Sequence, residues 1–202
     1  NRRNLSFRTQ HGNIIAALWL APTGAWAASC AHTRQFAASD IVFDTIPMTT
    51  TVGAAEVDVY RPHTAARVPV VIVVHGFSRS RQTMSGWGQH LGGEGFGAIV
   101  PHLLTWSGHT RNSQFISGVQ AYFSEGEAWK ERLDSSRIGM VRFSSGGLSS
   151  VLSASASPRV APRVGFDPVN GDGLDAVKTP MLQRNAVAIS AEPSACNTHG
   201  NA

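Results

Sequence analysis

One segment constrains this chain more than any other. Val68 to His75 reads VPVVIVVH, apolar up to its last residue and mostly β-branched. It shows no polar alternation, so neither face of such a strand can be left to water. That is the condition of a central strand in a parallel sheet, with helices packed above and below it.

The rest of the sequence supplies the partners. Ile41 to Ile46 and Ala55 to Tyr60 alternate partially, as antiparallel strands opening a sheet do, and Arg61-Pro62 ends the second. A helix is predicted over Met84 to Leu91, although four nearby glycines (Gly86, Gly88, Gly92 and Gly93) weaken it. Strands follow at Phe96 to Pro101, Arg137 to Phe143, Val160 to Phe166 and Ala186 to Ile189. Residues 102 to 115 read as a polar loop. Helices are expected over Ser117 to Leu133 and Gly146 to Ala156, the latter with Leu148, Val151 and Leu152 on one face. Strands alternating with helices predict an α/β fold: a mostly parallel central sheet, helices on both faces, and antiparallel N-terminal strands.

The 202 residues suffice for one domain with a true core. Residues 1–27 read as a secretory signal peptide. Arg2, Arg3 and Arg8 form a positive flank, Ile14 to Leu20 a short apolar run, and Ala25-Trp26-Ala27 a small-x-small cleavage pattern. The mature domain is then 28–202 and its location secreted or periplasmic. Losing three of 17 basic residues and none of 13 acidic ones takes the formal charge from +4 to +1. The basic character thus belongs largely to the leader and gives no case for nucleic acid as a partner. No apolar run is long enough to span a membrane. Export would permit a disulfide, but sequence does not fix whether Cys30 and Cys196 pair.

Chemistry concentrates at IGMVRFSSGGL, residues 138 to 148. A buried strand runs directly into a helix through Arg142-Phe143-Ser144-Ser145-Gly146. This is the context of the nucleophile elbow, G-x-S-x-G, which lifts a serine oxygen above the end of a strand. Ser144 is the candidate nucleophile, and the backbone N–H of Ser145 would face a developing oxyanion. Ser145 is the rival nucleophile, with poorer flanking residues. Arg142 replaces the first glycine of the motif. A side chain there crowds the turn, and either strains it, reshapes it, or marks a chain that no longer turns over substrate. An ordinary strand-to-helix turn capped by two serines is the plainer alternative.

His75-Gly76-Phe77 ends the strongest strand, where a turn can offer a second oxyanion donor, the N–H of Phe77. His75 itself reads as a loop-shaping residue, since the base of such a site follows the serine in chain order. VGFDPVNG sets Asp167 at the end of the next strand, where a carboxylate can orient an imidazole. Asp172 and Asp175 read as solvated loop carboxylates. His90, His102 and His109 match no metal-ligand spacing.

Together VVIVVHGF, RFSSGG, FDPVNG and AEPSACN resemble the α/β-hydrolases related to chlorophyllases, platelet-activating-factor acetylhydrolases and dienelactone-hydrolase-like exported esterases. The resemblance covers residues 41 to 202. It implies hydrolysis of carboxylic esters without a cofactor, acting on a small-molecule or lipid-like ester. It matches Ser144 to the nucleophile, Asp167 to the acid, and Phe77 and Ser145 to the oxyanion donors. It also implies a histidine loop past Ala202, which leaves the last strand and helix outside the chain and His199 as a loop residue; His199 itself as the base is the alternative. Two further readings stand beside the esterase: a non-catalytic binding protein on the same fold, and an inactive truncated fragment. The loop bearing Trp106 is either a wall of the substrate pocket or plain surface.

Overall fold

A computed structural model describes residues 36–64, 66–157, 160–166 and 186–189. Seven strands form one sheet: β1 (Ile41–Thr50), β2 (Gly53–Pro62), β3 (Val68–Val74), β4 (Gly97–Pro101), β5 (Leu133–Phe143), β6 (Val160–Phe166) and β7 (Ala186–Ile189). Their order across the sheet is β1-β2-β4-β3-β5-β6-β7. β2 pairs antiparallel with both β1 and β4, and every other pairing is parallel. This is the mostly parallel α/β sheet with antiparallel opening strands that the sequence predicts.

β3 lies at the centre because nothing on it tolerates water. Val70, Ile72 and Val74 point to one face and Val71 and Val73 to the other, all buried. The first face packs under α2 (His109–Glu125), α3 (Glu127–Lys130) and α4 (Ser145–Ser155), whose contributions include Phe115, Ile116, Val119, Phe123, Trp129 and Ala154. The second packs under α1 (Ser85–Gly93) and the 3-10 turn before it, through Leu91 and Met84. Each fully buried Phe or Ile contributes about 1.5–3 kcal/mol relative to exposure. Two-sided cover is therefore what fixes β3 between β4 and β5.

Several boundaries differ from expectation. The helix expected over Ser117 to Leu133 begins at His109 and ends at Glu125. Its first turns bury polar residues, Asn112 and Ser113, so no apolar stripe marks them in the sequence. Asn112 accepts from Thr105 N–H (3.1 Å) and donates to Thr105 C=O (2.8 Å), closing the chain onto the helix and shrinking the loop to residues 102–108. At the other end Gly126 turns extended (ψ 121°) and separates α2 from the one-turn α3. β5 then starts at Leu133, four residues earlier than expected. The proposed leader, both cysteines, Asp167 and His199 lie outside the described residues.

Glycines in α1 are not equivalent. A Cβ at Gly88 would overlap the Tyr60 ring, whereas one at Gly86 would meet nothing within 4 Å. Gly86→Ala is expected to raise stability by up to about 1 kcal/mol through helix propensity. Gly88→Ala is expected to lower it, since overpacking costs about 1–3 kcal/mol and exceeds the same propensity gain. Urea titration of the two variants checks the opposite signs.

Candidate active site

The crossover from β3 goes to β4 on one side, and β5 then lies on the other. The C-terminal ends of β3 and β5 therefore flank the point where the winding reverses, the place where open α/β sheets form crevices for ligands. Two loops occupy it: His75 to Ser80 after β3, and the β5–α4 junction at Ser144.

At that junction the backbone turns within one residue. Phe143 is the last of β5, Ser145 the first of α4, and Ser144 between them takes φ 48°, ψ −125°. This conformation is costly for a residue with a Cβ and persists only where its surroundings enforce it. The enforcement is visible. Gly146 passes so close to the His75 carbonyl that any Cβ there would overlap the oxygen. A Cβ on Gly76 would lie 2.9 Å from the Phe143 ring and 3.1 Å from Ser144 Cβ. The two loops thus meet with no room for a side chain on either glycine, and Ser144 lies where they meet. Ser144 C=O also accepts from Gly147 N–H at 2.8 Å. Ser145, as the first residue of an 11-residue helix, has an N–H with no intrahelical acceptor, at the positive end of the helix.

The facing loop is a tight turn. Arg79 N–H donates to Gly76 C=O at 3.3 Å, and Ser78 at the third position has φ 53°. Ser78 and Ser144 are the two non-glycine residues with positive φ among the described residues. Both strained residues thus fall at the same place. Phe77 sits between Gly76 and Ser78. Its ring is 55% exposed and stands edge-on to Trp106, itself 66% exposed, with centroids 6.0 Å apart. Trp106 belongs to loop 102–108, so the sequence-derived wall candidate does lie against the candidate oxyanion loop.

His75 binds these loops together. It is buried, its Nδ1 lies 2.9 Å from Gly76 C=O, and its Nε2 accepts Leu103 N–H at 2.9 Å. Those partners require a neutral ring with its proton on Nδ1. Burial pushes its pKa below the ordinary histidine value; the Gly76 carbonyl opposes this and His102 adds to it. The imidazole is a structural clamp, the role the sequence favoured over that of a base. Among the described residues no imidazole hydrogen-bonds Ser144 Oγ, and no three acidic, His or Cys side chains form a metal cluster. His109 Nδ1 is 3.5 Å from Ser149 Oγ, a contact between α2 and α4.

Arg142 does not unfold the elbow. It keeps its place in the ladder, between Val74 of β3 and Gly165 of β6. Arg142 is 7% exposed, and Nε and Nη1 have no partner among the described residues. Burial lowers its pKa to about 10. The consequence of this departure from the motif is electrostatic cost within a turn of normal course. A separate cavity of about 690 Å³ lies between the start of the described chain, β1, β2 and α1, lined by Phe43, Tyr60 and His90 among others. None of its lining residues belongs to the two loops.

A family model described as PET hydrolase-like matches residues 21–198, a span that contains every described element. No curated protein matches the chain significantly. No helix of the described residues is long and apolar enough to cross a membrane.

Two outcomes follow from this geometry. Arg142→Met removes a buried guanidinium whose Nε and Nη1 lack partners among the described residues while keeping volume, and is expected to raise the unfolding free energy by about 1–3 kcal/mol, measured by urea denaturation. For His75 the folded pKa lies below the unfolded one, so the unfolded chain takes up the proton first. Stability is full above the ordinary histidine value, about 6.5, and falls as pH drops below it. His75→Gln should remove that part of the acid-side slope, read as the urea midpoint between pH 7 and 5.

Proposed function

The chain belongs to the PET hydrolase-like family, and on that premise we propose that it is a serine ester hydrolase working through an acyl-enzyme on Ser144. The family implies ester hydrolysis in general. The observation that carries the finer reading is Ser144 itself: a serine with φ 48° at the tip of a parallel strand, at the N-terminus of a helix, pressed against a glycine loop.

In this reading Ser144 Oγ attacks the ester carbonyl. The negative charge that develops on the carbonyl oxygen is taken by the N–H groups of Phe77 and Ser145, assisted by the positive end of α4. A histidine accepts the Ser144 proton and passes it to the departing alcohol, and Asp167 orients that histidine. Water then attacks the acyl-enzyme and releases the acid. No cofactor takes part in these steps. Arg142 adds a fixed positive charge on the strand leading to the nucleophile, of the sign that favours the oxyanion.

The Phe77–Trp106 pair supports a substrate with a flat or apolar portion beside the ester, since exposed aromatic faces offer large contact area with little entropy to lose. Small-molecule and lipid-like esters both fit this description, and so do the ester links of an aromatic polyester, after which the family is described. The leader read at residues 1–27 makes export part of the proposal, since large or insoluble esters are reached from outside the cell.

The test is hydrolysis of a short-chain activated aryl ester by the protein at its natural length, with Ser144→Ala beside it. Loss of the nucleophile is expected to cut kcat by at least about 10³-fold and to abolish labelling by a fluorophosphonate. Turnover equal to wild type in the folded Ser144→Ala chain would overturn the assignment.

A further inference from the structure

The loop that carries Phe77 contains a strained residue, Ser78, and is held internally by one long turn bond of 3.3 Å. A strained conformation relaxes unless something outside it prevents this. At the start of the loop the restraint is the His75 imidazole. At its end the restraint is Arg81, the first residue of the 3-10 turn Arg81–Met84.

Arg81 reaches back across the sheet edge to β2. Its Nε donates to Asp58 Oδ1 at 2.9 Å and its Nη2 lies 2.7 Å from Glu56 Oε2. The Asp58 side chain is only 4% exposed and the guanidinium side chain 14%. Thr45 Oγ1 donates to the same Asp58 oxygen at 2.8 Å, so β1 also contributes. With its amide oxygen turned toward the guanidinium, Gln82 accepts from Arg81 Nη1 at 3.0 Å and donates to Ser80 Oγ at 2.8 Å, which carries the restraint into the loop. Ser80 C=O is held in turn by Thr83, through N–H at 3.1 Å and Oγ1 at 2.7 Å. A planar guanidinium held on two carboxylates fixes direction as well as distance, which a single point charge does not.

We propose that Arg81 is a positioning residue for the oxyanion loop. Clamped to Asp58 and Glu56, it keeps Gly76 to Ser80 in the strained turn and so keeps the Phe77 N–H beside Ser144. This rests on the assignment of Ser144 as nucleophile and Phe77 as donor. Arg81 touches no reacting atom. Its loss frees Ser78 to return to negative φ, and the turn that carries the Phe77 N–H goes with it.

The experiment uses the full chain and the variants Arg81→Met, Arg81→Lys and Asp58→Asn, each shown to be folded by circular dichroism. The loss of one oxyanion donor is worth about 10²–10³ in kcat, so Arg81→Met is expected to lower kcat by about 10²-fold with KM little changed. Binding of an arylboronic acid, which forms a tetrahedral anion on the serine, should weaken by a similar factor. Arg81→Lys should recover part of both losses, and hydrogen exchange should quicken over residues 76–80 and stay unchanged in β3. Asp58→Asn reads the same quantities if Arg81→Met does not fold.

Folded variants with wild-type kcat and boronate affinity, or a rise in KM alone, would overturn the proposal while leaving Ser144 as nucleophile. So would the failure of all three variants to fold, since Arg81 would then serve the fold as a whole. A wild-type chain that a fluorophosphonate does not label at Ser144 overturns the underlying assignment, and this proposal with it.

Discussion

Everything at this site depends on how closely two loops approach each other. The backbone at Gly146 runs against the carbonyl of His75, and the backbone at Gly76 runs against Phe143 and Ser144. β3 and β5 are adjacent parallel strands, about 4.8 Å apart as in any sheet, so the segments leaving their C-terminal ends must share one small space. One leaves as a turn and the other as a helix. Neither can yield, because each continues into an element that covers the core. Glycine at both contacts and a left-handed serine between them are how this sequence meets that constraint.

The strain this creates is offset by polar anchors placed just outside the contact. His75 spends both ring nitrogens on backbone groups, one in its own loop and one at Leu103, so the loop bearing Phe77 and the loop bearing Trp106 move as one. Arg81 anchors the far end of the first loop on a buried carboxylate of β2. Ser113, Ser117 and Gln120 of α2 and Ser153 of α4 supply a hydrogen-bonded seam between the helices that cover one face of the sheet. In each case the polar group has hydrogen-bond partners, which is what makes it an anchor and not a liability. Fixed geometry of this kind is what oxyanion stabilisation needs, since donors that must reorganise during the reaction lose most of their value.

How much of this the sequence discloses follows from the range of each interaction. Val68 to Val74 is legible because a strand buried on both faces has to be apolar at every position. The elbow is legible because strand, serine and glycine are neighbours in the chain. The start of α2 is not, because Asn112 and Ser113 satisfy a buried face with hydrogen bonds that look like loop chemistry. The Arg81–Asp58 clamp is not legible either. Its partners are 23 residues apart and read individually as surface charges; only the antiparallel pairing of β2 with β4 brings β2 beside the loop. Asp167 and the choice of base belong to residues outside the described structure, so sequence alone still carries them.

Arg142 separates two reasons for glycine that a motif writes with the same letter. At Gly146 the competitor for space is the His75 carbonyl, and at Gly76 it is the Phe143 ring and Ser144 Cβ with the Phe143 carbonyl behind them, so a side chain is excluded at both. At position 142 the side chain is accommodated, and in the ladder Arg142 lies beside Gly165 of β6, which adds no side chain of its own. The turn at Ser144 keeps its course. Nε and Nη1 have no hydrogen-bond partner among the described residues, and the residual cost is therefore desolvation, which lowers the pKa of the guanidinium. The turn accommodates the added volume, whereas the buried charge carries a cost. The elbow is thus defined by the space its backbone needs more than by the letters that usually provide it.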